Sequence, residues 1–111
     1  MLSTPVILTV AGSDCSGGAG IQADIKTISA LKGYAASVIT AVTAQNTVEV
    51  QAVYPIPPDI VRMQTASVMD DLQPAAVKIG MVHNAAIVRA IAECLQRFRP
   101  RFVVCDPVMV S

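Results

Sequence analysis

Tryptophan is absent from this sequence, and aromatic residues make up only 4% of its 111 positions. Charged residues are also scarce, at 14% against about 25% in ordinary soluble domains, whereas 53% of the residues are hydrophobic. Eight basic and eight acidic residues give a formal net charge of zero. A neutral chain argues against nucleic-acid binding, which needs clustered basic charge, and the high apolar content excludes general disorder.

Long hydrophobic runs are missing as well. No run approaches the roughly 20 residues that span a bilayer, and no basic segment precedes the first apolar run, so we expect neither a membrane partner nor a secretory signal. The three cysteines form no CxxC pair, and the single histidine has no partners that could complete a zinc site. We therefore predict a cytoplasmic protein with reduced thiols, in which Cys94 and Cys105 are small buried residues.

Two periods of apolar residues alternate along the chain. Short β-branched runs are typical of strands buried in a parallel sheet, and they occupy residues 6–10, 37–42, 77–81 and 102–105. The alternating stretch 50–54 suits an edge strand or an extended loop. The sequence therefore predicts at least four strands.

Helical spacing fills the gaps between these runs. The apolar faces are Ile21, Ile25, Ile28 and Leu31 in the first helix, Ile60, Met63, Ala66 and Leu72 in the second, and Ile87, Ile91 and Leu95 in the third. The prolines at 57 and 58, followed by Asp59, suit the start of the second helix, and Asn84 is the expected N-cap of the third.

This alternation predicts an α/β fold, with a mostly parallel sheet and helices on its faces. No repeat, linker or low-complexity segment divides the chain, so one domain is expected. The sequence stops at Ser111, shortly after the last predicted strand. Because parallel sheets are usually covered on both faces, we expect residues 1–111 to be the N-terminal part of one larger enzyme domain.

The most informative stretch is the glycine-rich segment AGSDCSGGAG at 11–20, between the first strand and the first helix. Glycines let a ligand approach the backbone closely, and free N–H groups at a helix start attract anionic groups. A P-loop is excluded because Gly18 and Ala19 replace its Lys-Ser/Thr pair, and no register fits the Rossmann pattern GxGxxG. The segment indicates a substrate-binding loop of another kind, with a tight strand-to-helix turn as the alternative.

Candidate binding residues lie near the carboxyl ends of the predicted strands, where open α/β sheets bind ligands. Asp24 needs a partner, which is either a ligand or the dipole of the first helix. The Gln45 amide suits a heterocycle edge or belongs to a turn, and Met81 suits a ring or the core. Asp106 could hold a cation near a phosphate or be a turn residue. His83 is predicted to be a solvated loop residue.

Four blocks of sequence carry a family resemblance: AGSDCSGGAGIQADIK at 11–26, VITAVTAQNT at 38–47, KIGM at 78–81 and DPVM at 106–109. In order and spacing they resemble the hydroxymethylpyrimidine/phosphomethylpyrimidine kinases of thiamine biosynthesis, in the ribokinase-like superfamily. The resemblance implies a three-layer α/β/α sandwich. It also implies transfer of the γ-phosphoryl group of ATP, with Mg²⁺, to the hydroxymethyl group of an aminopyrimidine and then to its monophosphate, and a homodimer for the full-length enzyme.

The resemblance also implies site residues. The substrate-binding set would be Gly12, Ala19, Asp24, Thr43, Gln45, Met81 and Val108. Asp106 would lie near Mg-ATP, and no metal ligand is assigned. The family places its glycine-rich anion hole and its reactive residue beyond Ser111, so we expect no catalytic residue in this chain and no ATP turnover by it alone.

Three positions depart from the family pattern. Cys15 stands where proline is usual, and Lys32 and Glu49 stand where glycine is common. Other functions remain open: a pyridoxal-type kinase of the same superfamily, or a non-catalytic ligand-binding or dimerisation module. A NAD-binding domain is the most distant alternative because the loop fails its glycine spacing.

Overall fold

The order of strands and helices is the one predicted from the sequence. The computed structural model describes residues 4–106. Its elements are β1 (Val6–Asp14), α1 (Gly20–Ala30), β2 (Tyr34–Gln45), β3 (Val50–Pro55), α2 (Pro58–Leu72), β4 (Ala76–Ile79), α3 (Ala85–Phe98) and β5 (Phe102–Cys105). None of the helices within 4–106 is long and apolar enough to cross a membrane.

The five strands form one sheet in the order β3-β2-β1-β4-β5. β1 pairs in parallel with β2 and β4, and β4 pairs in parallel with β5. β3 runs antiparallel to β2 at the edge of the sheet, which settles the two alternatives for the stretch 50–54. The predicted mostly parallel sheet is confirmed.

Helices cover both faces of the sheet. Successive residues of a strand point to opposite faces. Leu8 and Val10 belong to the main core cluster, which they share with residues of α2 and α3 such as Val61 and Ile87. Thr9, between them, faces α1, where its hydroxyl donates a hydrogen bond to Asp24. The molecule therefore has the three layers of an α/β/α sandwich.

The three helices test the predicted apolar faces. In α3, Ile87 and Ile91 are buried, and the Asn84 side chain accepts a hydrogen bond from the Ile87 N–H at 2.9 Å, so the predicted N-cap is confirmed. In α1 only Ile21 is buried, and Leu31 is the exposed C-cap residue. The predicted position of Leu31 on the buried face was therefore wrong.

The predicted buried face of α2 was also wrong. The helix buries Val61, Thr65 and Met69, whereas Ile60 and Met63 are exposed. Thr65 can be buried because its hydroxyl donates to the Val61 carbonyl at 2.8 Å, which satisfies the polar atom. The predicted face was chosen from apolar spacing alone, and it left out Val61, Thr65 and Met69, which follow one another at intervals of four residues.

The three cysteines are unpaired, and the predicted burial holds for one of the two for which it was made. Cys94, a residue of α3, is buried, and burial raises the pKa of its thiol. Cys105 is exposed, as are the other three residues of β5. The prediction for Cys105 failed because, within the described residues, β5 is an edge strand with one neighbour, β4.

Candidate functional site

Asp14, the last residue of β1, organises the glycine-rich loop. One carboxylate oxygen accepts hydrogen bonds from the N–H and hydroxyl of Ser16, at 2.8 and 2.7 Å. The other accepts from the N–H groups of Gly18 and Ala19, at 3.1 and 2.8 Å. These bonds, the Ser16 hydroxyl first among them, lower the pKa of Asp14 from its ordinary value of 3.8.

The position of Asp14 corrects one expectation about this loop. Its carboxylate lies at the N-terminus of α1, where the helix dipole stabilises negative charge. The N–H groups of Gly18 and Ala19 therefore serve a residue of the chain itself and are not free for a bound anion. Ala19 is the N-cap of α1, and the structure does not place it among the residues that line the cavity described below.

Gly12 and Gly20 bring the two ends of the loop together. Gly20 has a φ of +61°, and a Cβ atom at this position would lie 2.2 Å from the Gly12 carbonyl oxygen. Only glycine fits such a close approach without a shift of the backbone. The Gln22 side chain fastens the same region, since it accepts from the Asp14 N–H and donates to the Ser13 hydroxyl, both at 2.8 Å.

A small cavity lies beside this loop, at the carboxyl ends of β1, β2 and β4. Its volume is about 110 Å³. Four residues that the resemblance implied line it together: Gly12, Thr43, Gln45 and Met81. This is the edge of the sheet at which α/β proteins bind ligands. A larger groove of about 400 Å³, bordered by Met69 and Phe98, contains none of the predicted site residues.

Five further residues line the cavity and were missed from the sequence: Thr40, Ala41, Val50, Val53 and His83. Val50 and Val53 come from the antiparallel strand β3, so their contribution required knowing that β3 pairs with β2. His83 is exposed, as predicted, but it also borders the cavity, which no local pattern indicated.

The Gln45 side chain is held by its neighbour Thr43. The Thr43 hydroxyl lies 2.7 Å from the Gln45 amide oxygen and 2.7 Å from the Ser13 carbonyl oxygen. Because a hydroxyl has one proton, it can donate to only one of these two acceptors at a time. Within residues 4–106 the Gln45 amide nitrogen makes no hydrogen bond, so it is available to a ligand.

Asp24 does not share this cavity. It lines a separate surface pocket with Lys78, whose ammonium group lies 3.0 and 3.1 Å from the two carboxylate oxygens. The Thr9 hydroxyl donates to the same carboxylate at 2.6 Å. The structure thus places Asp24 and Gln45 in separate pockets, and the Asp24 carboxylate has Lys78 as its charged partner.

Asp106 is the second carboxylate near Lys78. Its carboxylate is 3.9 Å from the Lys78 ammonium group and its side chain is 64% exposed. No three His, Cys, Asp or Glu side chains come together as a metal site within the described part of the chain. Val108, the remaining predicted ligand-contacting residue, lies outside the described residues.

Comparisons with known proteins identify the family. A sequence model of the family described as phosphomethylpyrimidine kinase matches residues 14–111. This chain belongs to the phosphomethylpyrimidine kinase family. It is 57% identical, over 104 residues, to the hydroxymethylpyrimidine/phosphomethylpyrimidine kinase of Salmonella typhimurium. The match covers 94% of this chain but 39% of the relative.

Solved structures agree with the family and with its fold. The crystal structure of the phosphomethylpyrimidine kinase from Clostridium difficile superposes with a TM-score of 0.94 at 52% identity, covering 97% of this chain and 47% of that one. A pyridoxal kinase from Staphylococcus aureus, in complex with AMP-PCP and pyridoxal, superposes with a TM-score of 0.85 at 33% identity, covering 96% and 40%. The chain thus spans less than half the length of these relatives.

The backbone differs at Lys32 and Glu49, the two positions where the resemblance leads one to expect glycine. Lys32 has a φ of +68°, a conformation that favours glycine. Glu49 lies in the turn between β2 and β3, where its N–H donates to the Asn46 side chain at 3.1 Å. Its φ is not positive, so this turn does not require glycine there.

Proposed function

We propose that this chain forms the pyrimidine-binding part of a kinase that transfers phosphoryl groups from ATP to 4-amino-5-hydroxymethyl-2-methylpyrimidine and then to its monophosphate. The observation that supports the proposal most directly is the Gln45 amide at the wall of a small, largely apolar cavity. An aminopyrimidine edge offers an exocyclic N–H donor and a ring-nitrogen acceptor. A primary amide offers the complementary donor and acceptor.

The other cavity residues suit the flat face and the rim of such a ring. Val53 and Met81 provide apolar surface, and the thioether of Met81 can contact an aromatic face. The Thr43 hydroxyl lies within hydrogen-bond distance of the Gln45 amide oxygen, at 2.7 Å, and Gly12 leaves space for close approach of a ligand. We therefore propose Gly12, Thr43, Gln45 and Met81 as substrate-binding residues.

Two predicted ligand-contacting residues receive different roles in this proposal. Asp24 acts as the partner of Lys78, and Ala19 acts through the loop that Asp14 holds. Val108 remains a predicted contact.

ATP and Mg²⁺ are proposed from the family and not from a site in residues 4–106. The N–H groups of Gly18 and Ala19 are bonded to Asp14, and Lys78 is paired with Asp24. The exposed Asp106 carboxylate is the one predicted contact with Mg-ATP in the described residues, and alone it does not make a nucleotide site. We therefore propose that residues 1–111 by themselves bind the pyrimidine without transferring phosphate.

The pyrimidine site is tested by calorimetric titration of the 111-residue chain with 4-amino-5-hydroxymethyl-2-methylpyrimidine. Gln45→Ala should weaken binding by about 1–3 kcal/mol, the usual effect of removing one partner of a buried polar contact. The matched control is Gln51→Ala, which removes the same amide from an exposed position of β3 outside the cavity. Equal affinities of the two variants would contradict the assignment of Gln45.

The second candidate function is a pyridoxal-type kinase, because the similar Staphylococcus aureus structure holds pyridoxal. The same titration with pyridoxal distinguishes the two, since tighter binding of pyridoxal would favour this alternative. Incubation of the chain with Mg-ATP and the pyrimidine should give no ADP above the blank. Formation of ADP that depends on the pyrimidine would overturn the proposal that residues 1–111 alone do not turn over ATP.

We also propose a cytoplasmic location and a homodimer for the complete enzyme. The unpaired state of all three cysteines is compatible with a reducing compartment. Sedimentation equilibrium of the complete enzyme tests the dimer, and a single species of monomer mass would contradict it.

A further inference from the structure

The thiol of Cys15, a residue of the glycine-rich loop, contacts the main chain of Gln45. Its S–H donates to the Gln45 carbonyl at 3.1 Å, and it accepts from the Gln45 N–H at 3.3 Å. The two residues are 30 positions apart, so this contact joins the loop after β1 to the end of β2. One side chain thus binds both polar groups of the Gln45 main chain.

The contact lies at a place where the sheet itself is irregular. Pairing of β2 with β3 shifts register between Ala44 and Gln45, and β2 ends at Gln45. A shift of this kind disrupts the hydrogen-bond ladder locally. The side chain of this same residue borders the cavity, where Thr43 holds its amide.

We propose that Cys15 is a positioning residue for Gln45: its thiol fixes the Gln45 main chain, so that the amide points into the cavity in one orientation. The inference rests on the proposed function, in which Gln45 binds the pyrimidine.

Two variants separate the hydrogen bonds of the thiol from its volume. Cys15→Ala removes both bonds, whereas Cys15→Ser keeps a donor and an acceptor at nearly the same place. Loss of a hydrogen bond that orders a ligand-binding side chain should weaken binding of 4-amino-5-hydroxymethyl-2-methylpyrimidine by about 3- to 10-fold. We expect this loss in Cys15→Ala and recovery of most of it in Cys15→Ser, as measured by calorimetry.

Hydrogen exchange of the main-chain N–H of Gln45, the group bonded to the Cys15 sulfur, provides a readout that needs no ligand. In Cys15→Ala this amide should exchange faster than in the parent chain, and in Cys15→Ser its protection should return. The Ile87 amide, which is bonded to Asn84 in α3, serves as an internal control and should be unchanged. A fall in protection at both positions would indicate general destabilisation and would overturn the positioning role.

The outcomes distinguish this inference from the proposed function. If Gln45→Ala loses affinity but Cys15→Ala binds like the parent chain and keeps its Gln45 amide protected, the positioning role is overturned and the pyrimidine site stands. If no variant and not even the parent chain binds the pyrimidine, the proposed function fails. In that case faster exchange of the Gln45 amide in Cys15→Ala would still support the link between the two residues.

Discussion

The Asp24 carboxylate and the Lys78 ammonium group lie 3.0 Å apart and join α1 to β4 across one face of the sheet. The two residues are 54 positions apart in the sequence. Their side chains are only 20% and 29% exposed, so each charge is partly withdrawn from water. Under these conditions removal of one partner costs more than the pair itself contributes, because the remaining charge keeps its desolvation penalty.

Asp24→Asn is therefore expected to act on stability more than on binding. It should lower the free energy of unfolding by about 1–3 kcal/mol, less than a fully buried pair would lose because both side chains keep some contact with water. Its pyrimidine affinity should change little, since Asp24 lies outside the cavity. Urea denaturation and calorimetry on the same protein measure the two effects.

The control for this prediction removes both charges. The double variant Asp24→Asn with Lys78→Met should recover part of the lost stability, because no uncompensated charge is left on that face. An Asp24→Asn protein of unchanged stability that no longer binds the pyrimidine would return Asp24 to the substrate-binding residues.

Much of the fold could be predicted because the relevant signals are local. Asn84 caps α3 through a bond to a residue three positions later, and the β-branched run in β1 specifies a buried strand by itself. The buried face of α2 was not predicted, because Ile60 and Met63 give this helix a second apolar side and the polar Thr65 lies in the middle of the buried one. The exposure of Cys105 likewise depends on strand order, which no short segment encodes.

The candidate site was predictable only in part, for a similar reason. Gly12, Thr43, Gln45 and Met81 meet because the carboxyl ends of parallel strands lie at one edge of the sheet, and the alternation of strands and helices in the sequence already predicts a parallel sheet. Whether Asp24 faces that edge depends on a partner 54 residues away. The pairing of Lys78 with Asp24 is visible only in three dimensions.

Asp14→Asn should destabilise the protein at neutral pH, because an amide has one accepting oxygen and its NH₂ group cannot replace the second carboxylate oxygen, which accepts from Gly18 and Ala19. The folded-state pKa of Asp14 lies below the ordinary value of 3.8. The stabilisation by the carboxylate is therefore complete above that ordinary value, and it is lost as the pH falls through the lower folded-state pKa.

The measurement is the thermal midpoint of the parent chain and of Asp14→Asn as a function of pH. The difference between them should be constant near neutral pH and should shrink in acid. Asp59→Asn is the control, since the Asp59 side chain is 89% exposed and should contribute little at any pH. A difference for Asp14→Asn that stays the same down to strongly acidic pH would show that its charge is not involved.

Lys32→Gly should stabilise the protein by roughly 0.5–1 kcal/mol. Lys32 has a φ of +68° directly after the C-cap of α1, a conformation that costs a residue with a Cβ atom more than it costs glycine. Urea denaturation measures the change. Lys32→Ala keeps the Cβ atom and should show no comparable gain, so an equal gain in both variants would mean that the lysine side chain, not the backbone, is responsible.

Gly20→Ala and Gly17→Ala separate backbone conformation from close approach. Both glycines have a positive φ, +61° and +84°, so both substitutions strain the backbone by about 1–2 kcal/mol. An added Cβ at Gly17 would meet only the flexible end of Lys26, at 3.4 Å, whereas at Gly20 it would lie 2.2 Å from the Gly12 carbonyl oxygen. We expect Gly20→Ala to lose at least about 2 kcal/mol more stability than Gly17→Ala.

The same pair of variants links the loop to the cavity. Gly12 borders the cavity, so a shift forced on it by Gly20→Ala should also weaken pyrimidine binding, while Gly17→Ala should bind like the parent chain. Denaturation and calorimetry, both performed at a temperature where each variant remains folded, give the two values. Equal stability losses for the two variants would show that the contact between Gly20 and Gly12 relaxes without cost. A Gly20→Ala protein of normal affinity would show that the cavity does not depend on it.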